Sequence, residues 1–269
     1  MSEKMIGFIG GGNMASAIIG GLLSSGLSDR EHIAASDKSE ASVERLKERF
    51  GIQAFTVNTT VSSCADILFL AVKPDVFELV IPEIRNSMKK DAVVVSIAAG
   101  QSIAKIQAAF AKPVKLIRVM PNTPALVGAS MSALCRNELV TDEELEEVYR
   151  LFCSFGEAEV IPEKLMDAVV GISGSSPAYV YMIIEAMADA AVADGMPRAQ
   201  AYKFAAQAVL GSAKMVLETG KHPGELKDMV CSPGGTTIEA VAVLEKMGLR
   251  SAVIEGQRAC VRKSREMSK

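Results

Sequence analysis

The 269-residue sequence predicts an α/β protein in which a Rossmann-like, mostly parallel sheet is followed by a C-terminal all-helical domain. Three observations predict this fold class. Short apolar runs alternate with helical patterns over about the first 160 residues, a glycine-rich turn follows the first run, and strand-like runs stop near residue 162. We therefore divide the chain into two domains, residues 1–162 and residues 163–269.

The predicted strands are apolar on both faces. A strand with one face in water would alternate apolar and polar residues, so continuous apolar runs are typical of a parallel sheet that helices cover on both sides. Six such strands are predicted, at residues 4–9, 32–36, 52–57, 66–72, 92–98 and 114–120. Two further runs, residues 129–135 and 158–161, are expected at the end of the same sheet.

Helical patterns separate these strands. They cover residues 14–25, 41–50, 76–88 and 103–111. Another helix is expected to begin at Thr141, because Thr141 and Glu144 have the spacing of a capping box. Strands that alternate with helices in this way predict a parallel sheet with helices on both sides.

The second domain shows helical patterns alone, at residues 177–194, 197–218, 236–247 and 251–267. Gly195 and Gly220 end the first two helices, and Pro197 suits the first turn of the second. Residues 186–193 are alanine-rich and leave little polar surface, which is typical of a helix buried on several sides. In a domain of about 107 residues this favours a subunit interface; a compact monomeric bundle is the alternative.

Composition excludes several classes of protein. Hydrophobic residues make up 49% and charged residues 23% of the chain, as in a globular protein, and a net charge of −3 argues against nucleic acid as the main partner. Apolar runs are too short to cross a bilayer and no leader pattern opens the chain, so we expect a cytoplasmic protein without a membrane partner. The five cysteines are odd in number and form no C-x-x-C pair, which favours reduced thiols.

The histidine content also limits the chemistry. With only His32 and His222, a histidine-based metal site or a Ser-His-Asp triad is hard to build, so no metal is expected. A bound organic cofactor is the better candidate for the reactive group.

A dinucleotide fingerprint lies between the first predicted strand and helix. Gly10-x-Gly12-x-x-Ala15 has the required spacing and the required strand-turn-helix context. Gly10 is expected to make the tight turn, Gly12 to let the backbone approach a pyrophosphate, and Ala15 to allow close packing of helix on strand. The helix N-terminus would offer free N–H groups to the anion.

The second strand ends where a Rossmann domain meets the adenosine ribose, in the segment Ser36-Asp37-Lys38-Ser39. An acidic residue there favours NAD, whereas a cation accommodates the 2′-phosphate of NADP. Both signals are present. Ser36, Lys38 and Ser39 can surround a phosphate if Asp37 turns away, so NADPH is favoured, with NADH as the alternative.

Two other strands end in segments that suit the same ligand. Ala71-Val72-Lys73-Pro74 and Ala98-Ala99 lie at the ends of the fourth and fifth strands, at the edge where ligands bind in open α/β sheets. Lys73 can face the dinucleotide, and the small residues let a nicotinamide lie against the backbone. Asn122 and Thr123, fixed between two prolines, form either a rigid turn or a wall of the cleft.

The segment Ser232-Pro-Gly-Gly-Thr-Thr237 runs directly into a predicted helix. Its two glycines leave backbone N–H groups unshielded, with the positive end of the helix dipole behind them, and this suits a small carboxylate. The hydroxyls of Thr236 and Thr237 can either cap the helix or hydrogen-bond a substrate. From these residues alone, capping is favoured.

Six motifs together resemble the pyrroline-5-carboxylate reductase family, in order and spacing, over nearly the whole chain. The Ser-Pro-Gly-Gly-x-Thr element is the most specific of them. The motifs are Phe8-Ile-Gly-Gly-Gly-Asn-Met-Ala15, Ala71-Val-Lys-Pro74, Arg118-x-Met-Pro-Asn-Thr-Pro124, Ser173-Gly-Ser-Ser-Pro-Ala-Tyr179, His222-Pro-Gly-x-Leu-Lys227 and Ser232-Pro-Gly-Gly-Thr-Thr237.

The resemblance implies a function and a set of site residues. The reaction would be NAD(P)H-dependent reduction of 1-pyrroline-5-carboxylate to L-proline, the last step of proline biosynthesis, by hydride transfer to C5. Thr237 would contact the ring nitrogen, Glu163 would reach the substrate, and Ser232, Gly234, Gly235 and Thr236 would surround its carboxylate. The dinucleotide would be lined by Gly10, Gly12, Asn13, Met14, Ser36, Asn58, Ala71, Val72, Lys73, Pro74, Ala98 and Ala99, to which the local pattern adds Lys38.

The resemblance also implies a homodimer with interleaved C-terminal helices, assembled further into five dimers. Two positions depart from the family pattern: Ser176 stands where glycine is usual, and Met229 replaces a residue that is polar in some members. Two other functions are weighed against the reductase. A β-hydroxyacid dehydrogenase would need a lysine base in the second domain, and a dinucleotide-sensing protein would bind without turnover.

Overall fold

The computed structural model describes residues 4–267, in which eight strands form one sheet. The strand order is β3-β2-β1-β4-β5-β6-β7-β8, and every neighbouring pair is parallel except β6 with β7. The predicted mostly parallel sheet is therefore confirmed. The strands are β1 Ile6–Ile9, β2 Ile33–Ser36, β3 Gln53–Phe55, β4 Ile67–Leu70, β5 Val93–Ser96, β6 Lys115–Met120, β7 Ser130–Arg136 and β8 Gly156–Val160.

Helices connect these strands and cover both faces of the sheet. The predicted capping box is present at the start of the helix Asp142–Cys153, since Thr141 and Glu144 bond reciprocally. The helices are α1 Asn13–Ser25, α2 Glu40–Phe50, α3 Asn58–Cys64, α4 Phe77–Ile84, α5 Ile103–Phe110 and α6 Asp142–Cys153. The helix predicted at residues 76–88 ends earlier, because the Ile84 carbonyl accepts bonds from both the N–H and the hydroxyl of Ser87.

The core lies in two layers, one on each face of the sheet. One layer contains an aromatic chain in which the Phe8 and Phe69 rings stack with centroids 4.6 Å apart and Phe152 lies 6.0 Å from Phe69. The other layer packs α4 and α5 onto the strands through Phe77 and Phe110, which are nearly fully buried. Burial on both faces explains the continuous apolar strands.

After β8 the described chain is helical, as predicted. The first turns are short: Glu163–Leu165, then α7 Met166–Val169, then one π-helical turn, Val170–Gly174. Longer helices follow: α8 Ser176–Ala193, α9 Arg198–Thr219, α10 Pro223–Met229, α11 Thr236–Lys246 and α12 Leu249–Met267. None of the helices within residues 4–267 combines the length and apolar character needed to span a membrane.

The described residues pack as two compact units, residues 4–175 with 260–267, and residues 176–259. The division predicted after residue 162 therefore falls inside the first unit. Met166 and Val170 are buried in that unit, and the end of α12 joins it through a 2.6 Å bond from the Ser264 hydroxyl to Asp167. The assignment of functions to residues 1–162 and 163–269 stays a prediction.

Candidate functional site

The strand order reverses between β1 and β4, which is where an open α/β sheet forms its ligand crevice. The turn after β1 holds Gly10 and Gly12, and the turn after β4 holds residues 71–74. Because β1 and β4 are parallel and adjacent, both turns leave the sheet at the same edge. The topology thus brings two predicted cofactor segments together at the switch point.

The glycine turn has the geometry that its fingerprint predicts. Gly10 has φ +102°, and a Cβ there would lie 2.7 Å from the Ala71 carbonyl oxygen, so only glycine fits. Gly12 is the N-cap of α1 and makes no side-chain cap, and a Cβ added to it would meet no atom within 4 Å. Open space in front of uncapped N–H groups is suited to an anion. Asn13 is exposed and Met14 half-buried in the first turn of α1.

The buried side chains at the end of β2 bond to other side chains of the protein. Ser36 is fully buried, and its hydroxyl donates to the Asn58 side-chain oxygen at 2.8 Å. Asn58 is also buried and donates to Glu83 at 2.9 Å. The polar groups of both residues therefore have protein partners. Lys38 and Ser39 are exposed.

The Asp37 carboxylate is bonded to the backbone through both oxygens. Its Oδ2 accepts a 2.8 Å bond from the Gly11 N–H, and its Oδ1 accepts a 2.9 Å bond from the Ser39 N–H. These bonds hold the Asp37 side chain beside the glycine turn.

The segments that follow β4 and β5 contain small residues and one exposed lysine. Ala71 and Val72 are half-buried, and Lys73 is exposed just before Pro74, which begins a short 3₁₀ turn. After β5, Ala98 is buried and Ala99 half-buried.

Asn122 bonds two parts of the chain together. This favours the interpretation of its segment as a rigid turn over that of a cleft wall. Its side chain is 8% exposed, and its oxygen accepts bonds from Met131 N–H and the Ser130 hydroxyl. Its amide nitrogen donates to the Ser173 carbonyl at 3.1 Å, in the π-helical turn. Asn122 therefore fixes that turn to the end of β6. Thr123, beside it, is exposed.

Glu163 makes two contacts through one oxygen. Its Oε1 accepts a 2.7 Å bond from the Ile103 N–H at the start of α5 and a 3.0 Å bond from Arg118 on β6. Arg118 is nearly buried, whereas Glu163 is about one-third exposed. Burial, together with the charge of Glu163, raises the pKa of the nearby Cys135 thiol to about 12, so that thiol is neutral. Sequence patterns missed the Arg118–Glu163 pair.

The segment predicted to bind the substrate forms a tight turn. The Gly235 N–H donates to the Ser232 carbonyl at 3.0 Å across Pro233 and Gly234, and Gly234 has φ +66°. This is the pattern of a type II turn, which needs glycine at its third position. A Cβ on Gly235 would lie 2.3 Å from the Ser232 hydroxyl oxygen, so a larger residue there would require the Ser232 side chain to move.

The interpretation of Thr236 and Thr237 as helix caps is wrong. Gly235 is the N-cap of α11 and no side chain caps it, because both threonines already lie inside the helix. Thr236 is exposed and Thr237 half-buried. Among residues 4–267, neither hydroxyl forms a hydrogen bond, which leaves both for a ligand.

Comparisons with known proteins extend over the whole chain. A family model for pyrroline-5-carboxylate reductase dimerisation matches residues 163–267, and a model described as NADP oxidoreductase coenzyme F420-dependent matches residues 5–100. The pyrroline-5-carboxylate reductase of Escherichia coli (strain K12) is 58% identical over 267 residues, 99% of this chain and 99% of that relative. That of Methanosarcina acetivorans is 43% identical over 269 residues, 100% of each.

A solved structure has the same fold throughout. The structure of Plasmodium falciparum pyrroline carboxylate reductase with NADP bound is 31% identical to this chain, covers 100% of both chains and gives a TM-score of 0.92. The matched sequence thus includes both the glycine turn and the turn at Ser232.

Proposed function

This chain belongs to the pyrroline-5-carboxylate reductase family and reduces 1-pyrroline-5-carboxylate to L-proline, and we propose that the glycine turn and the turn at Ser232 supply its cofactor and substrate sites. Full-length identity of 58% to the Escherichia coli relative carries the functional conclusion. The proposal names the residues that act and the role of each. It also implies that the enzyme takes part in proline biosynthesis.

NADPH, when bound, supplies the hydride that C5 of the imine accepts. The match to an NADP oxidoreductase model over residues 5–100 supports NADPH as the cofactor, with NADH as the alternative. The uncapped α1 N-terminus and Gly12 would hold the pyrophosphate. The proposed lining comprises Gly10, Gly12, Asn13, Met14, Lys38, Ala71, Val72, Lys73, Pro74, Ala98 and Ala99, with Ser36 and Asn58 behind them.

The reaction itself needs positioning rather than a protein nucleophile. Once the imine nitrogen is protonated, C5 is electrophilic; hydride addition forms the new C–H bond, and the C=N electron pair stays on nitrogen as the amine of proline. Thr237 Oγ1 would accept the N–H of the protonated ring and so keep C5 oriented. Ordered placement of this kind contributes several kcal/mol of barrier lowering in enzymes, up to about 7 to 11 kcal/mol in well-oriented cases.

The substrate carboxylate would lie in front of the turn at Ser232. Ser232, Gly234, Gly235 and Thr236 would surround the carboxylate beside the α11 N-terminus, where the helix dipole favours an anion. The Gly235 N–H is used inside the turn by the Ser232 carbonyl, so the donors would be the other backbone N–H groups and the hydroxyls of Ser232 and Thr236. Glu163 is proposed as an acidic group that reaches the substrate. Its Oε1 is fixed by Arg118 and Ile103, so its Oε2 is the oxygen left for that role.

The proposed assembly is a homodimer with interleaved C-terminal helices, with five dimers as the larger form. The dimerisation model that matches residues 163–267 supports it. So do apolar side chains exposed on residues 176–259, including Met182 at 68%, Phe204 at 66% and Leu217 at 81%. We also propose a cytoplasmic location, which the five free thiols support.

The direct test is to mix the protein with NADPH and 1-pyrroline-5-carboxylate and to follow the absorbance of the reduced cofactor. NADPH consumption with an equal yield of L-proline is expected. Binding of NADPH without turnover would instead favour a dinucleotide sensor. Oxidation of a β-hydroxyacid by NADP⁺ in the same preparation, without imine reduction, would favour the dehydrogenase.

A further inference from the structure

We propose that Arg45, on α2, is the residue of this chain that recognises the 2′-phosphate of NADPH and sets its preference over NADH. The inference rests on the proposed function, because it concerns the same cofactor. Sequence patterns assigned this role to Ser36, Lys38 and Ser39. In the structure the Ser36 hydroxyl is bonded to Asn58, Lys38 and Ser39 stay exposed, and Arg45 lies beside them at the glycine turn.

Two residues at the end of β2 are already committed to the protein. The Ser36 hydroxyl is buried and bonded to Asn58, so a phosphate could reach it only by breaking that bond. Asp37 uses both carboxylate oxygens on backbone N–H groups, one of them at Gly11. The acidic residue that normally selects NAD is therefore drawn into the glycine turn.

Arg45 reaches the same glycine turn from the other side. Its Nη2 donates to the Gly11 carbonyl at 3.2 Å and to the Ser42 hydroxyl at 3.1 Å. Ser39, Ser42 and Arg45 are spaced three residues apart, so they form one row on α2 from its N-cap inward. That row places a guanidinium and two hydroxyls beside the point where β2 ends and the ribose is expected.

The charge of Arg45 has no acidic partner. Glu44, its neighbour in sequence, pairs with Lys47 at 2.9 Å. Within the part of the chain that the structure describes, neither Arg45 nor Lys38 forms an ion pair. Arg45 Nη1 and Nε also have no hydrogen bond there. An exposed guanidinium with free donors in its planar fork is well suited to bind a phosphate bidentately.

Titration calorimetry on the intact protein tests the proposal without any turnover. NADPH and NADH are titrated separately onto the wild type, Arg45→Ala, Arg45→Lys and Arg49→Ala. Arg49 lies one turn further along the same helix, over the Phe50 ring, so its removal takes away the same charge without removing the contact with Gly11. Melting temperature checks that every variant is folded.

Arg45→Ala is expected to raise the Kd for NADPH by about tenfold to a hundredfold, as loss of charge-assisted hydrogen bonds does. Its Kd for NADH should stay within about twofold. Arg45→Lys should recover part of the NADPH affinity, and Arg49→Ala should match the wild type. Equal weakening of both cofactors would mean that Arg45 only supports the turn through Gly11, and unchanged binding would mean that it does nothing. Either result overturns the proposal.

Failure of the proposed function remains distinguishable from failure of this inference. A wild-type protein that binds NADPH but does not reduce the imine would contradict the function. The ratio of the two cofactor affinities in Arg45→Ala would still report on Arg45 alone, because binding requires no substrate.

Discussion

Thr237 is the residue on which the proposed chemistry depends most. Its hydroxyl is half-buried and does not cap α11, whose N-cap is Gly235. Among residues 4–267 this hydroxyl has no hydrogen-bond partner, and it is not fully buried, so it is available to a substrate that binds beside α11.

Thr237→Ala should lower kcat/KM by roughly tenfold to several hundredfold, on the order of 1.5 to 3.5 kcal/mol, because it removes a contact that strengthens as the imine is reduced. Melting temperature and NADPH affinity should change little, since the N-cap of α11 is Gly235 and the Thr237 hydroxyl takes no part in it. Thr237→Ser, which keeps the hydroxyl, is the matched control. Steady-state kinetics beside thermal unfolding decide the matter. A destabilised Thr237→Ala protein with full activity would remove Thr237 from the catalytic residues.

A substitution at Gly12 should affect ligand binding without affecting folding. Its φ is −72°, which alanine adopts without strain, and a Cβ there meets no protein atom within 4 Å. Gly12→Ala should therefore melt within a few degrees of the wild type, yet raise the Kd for NADPH by roughly tenfold or more, because the methyl group occupies the space of the pyrophosphate. Gly26→Ala, at the C-cap of α1, is the comparison substitution and should leave NADPH affinity unchanged. Normal NADPH affinity in Gly12→Ala would mean that the pyrophosphate lies elsewhere.

At the scale of elements, α6 shows how one side chain joins a helix to the sheet. Glu144 completes the capping box with Thr141 and also pairs with Lys115 on β6 at 2.6 Å. Partial burial acts to raise the pKa of Glu144, but the bonds from Lys115 and the Thr141 N–H outweigh it and hold that pKa below its ordinary value. The pair therefore favours the ionised, folded state.

Glu144→Ala should lower the free energy of unfolding by about 1 to 2 kcal/mol at neutral pH, because it removes a cap and a half-buried ion pair. A folded-state pKa below the unfolded value means that the stabilisation is present above the unfolded pKa and is lost as the pH falls through the folded one. The difference from the wild type should thus shrink on acidification. Urea unfolding at a series of pH values measures it. Glu146→Ala, at an exposed pair with Arg150, should cost much less; an equal cost would contradict this account.

Elements with a clear period could be predicted from the sequence, and short irregular ones could not. The eight strands and the long helices lie within a few residues of their predicted positions. α3 was not predicted, because its Thr and Ser residues have low helix propensity; burial of Val61 and Ser62 stabilises it instead. α10 is only seven residues long and follows its N-cap His222, whose Nδ1 accepts the Gly224 N–H.

The same distinction holds for the site. The glycine turn and the turn at Ser232 could be found because glycine spacing encodes backbone geometry directly. The contacts of Arg45 with Gly11 and of Arg118 with Glu163 join residues 34 and 45 positions apart. Such contacts depend on side-chain directions that only the folded chain defines. The partner of Ser36 could not be read from β2 for the same reason.

At the scale of the whole molecule, the two compact units differ in how they bury apolar surface. Residues 4–175 enclose two well-buried core layers. In residues 176–259 few side chains are buried: Ala188 is the only buried residue of α8, and α11 has none. Exposed apolar surface of that extent is typical of a subunit interface. Association with a second copy would bury it and would supply the core that this unit lacks.

The intact protein should therefore behave in light scattering as a dimer or a multiple of dimers of its 28.5 kDa chain. Leu217→Glu and Phe204→Glu place charges on the most exposed apolar positions of α9 and should shift the protein towards smaller species, with a lower melting temperature. Leu79→Glu, at an apolar residue of the first unit that is 64% exposed, is the control and should leave the mass unchanged. Because folding of residues 176–259 would then depend on the partner, the dissociated variants should also lose imine reduction while the control retains it. A monomeric wild type with full activity would contradict the interleaved dimer.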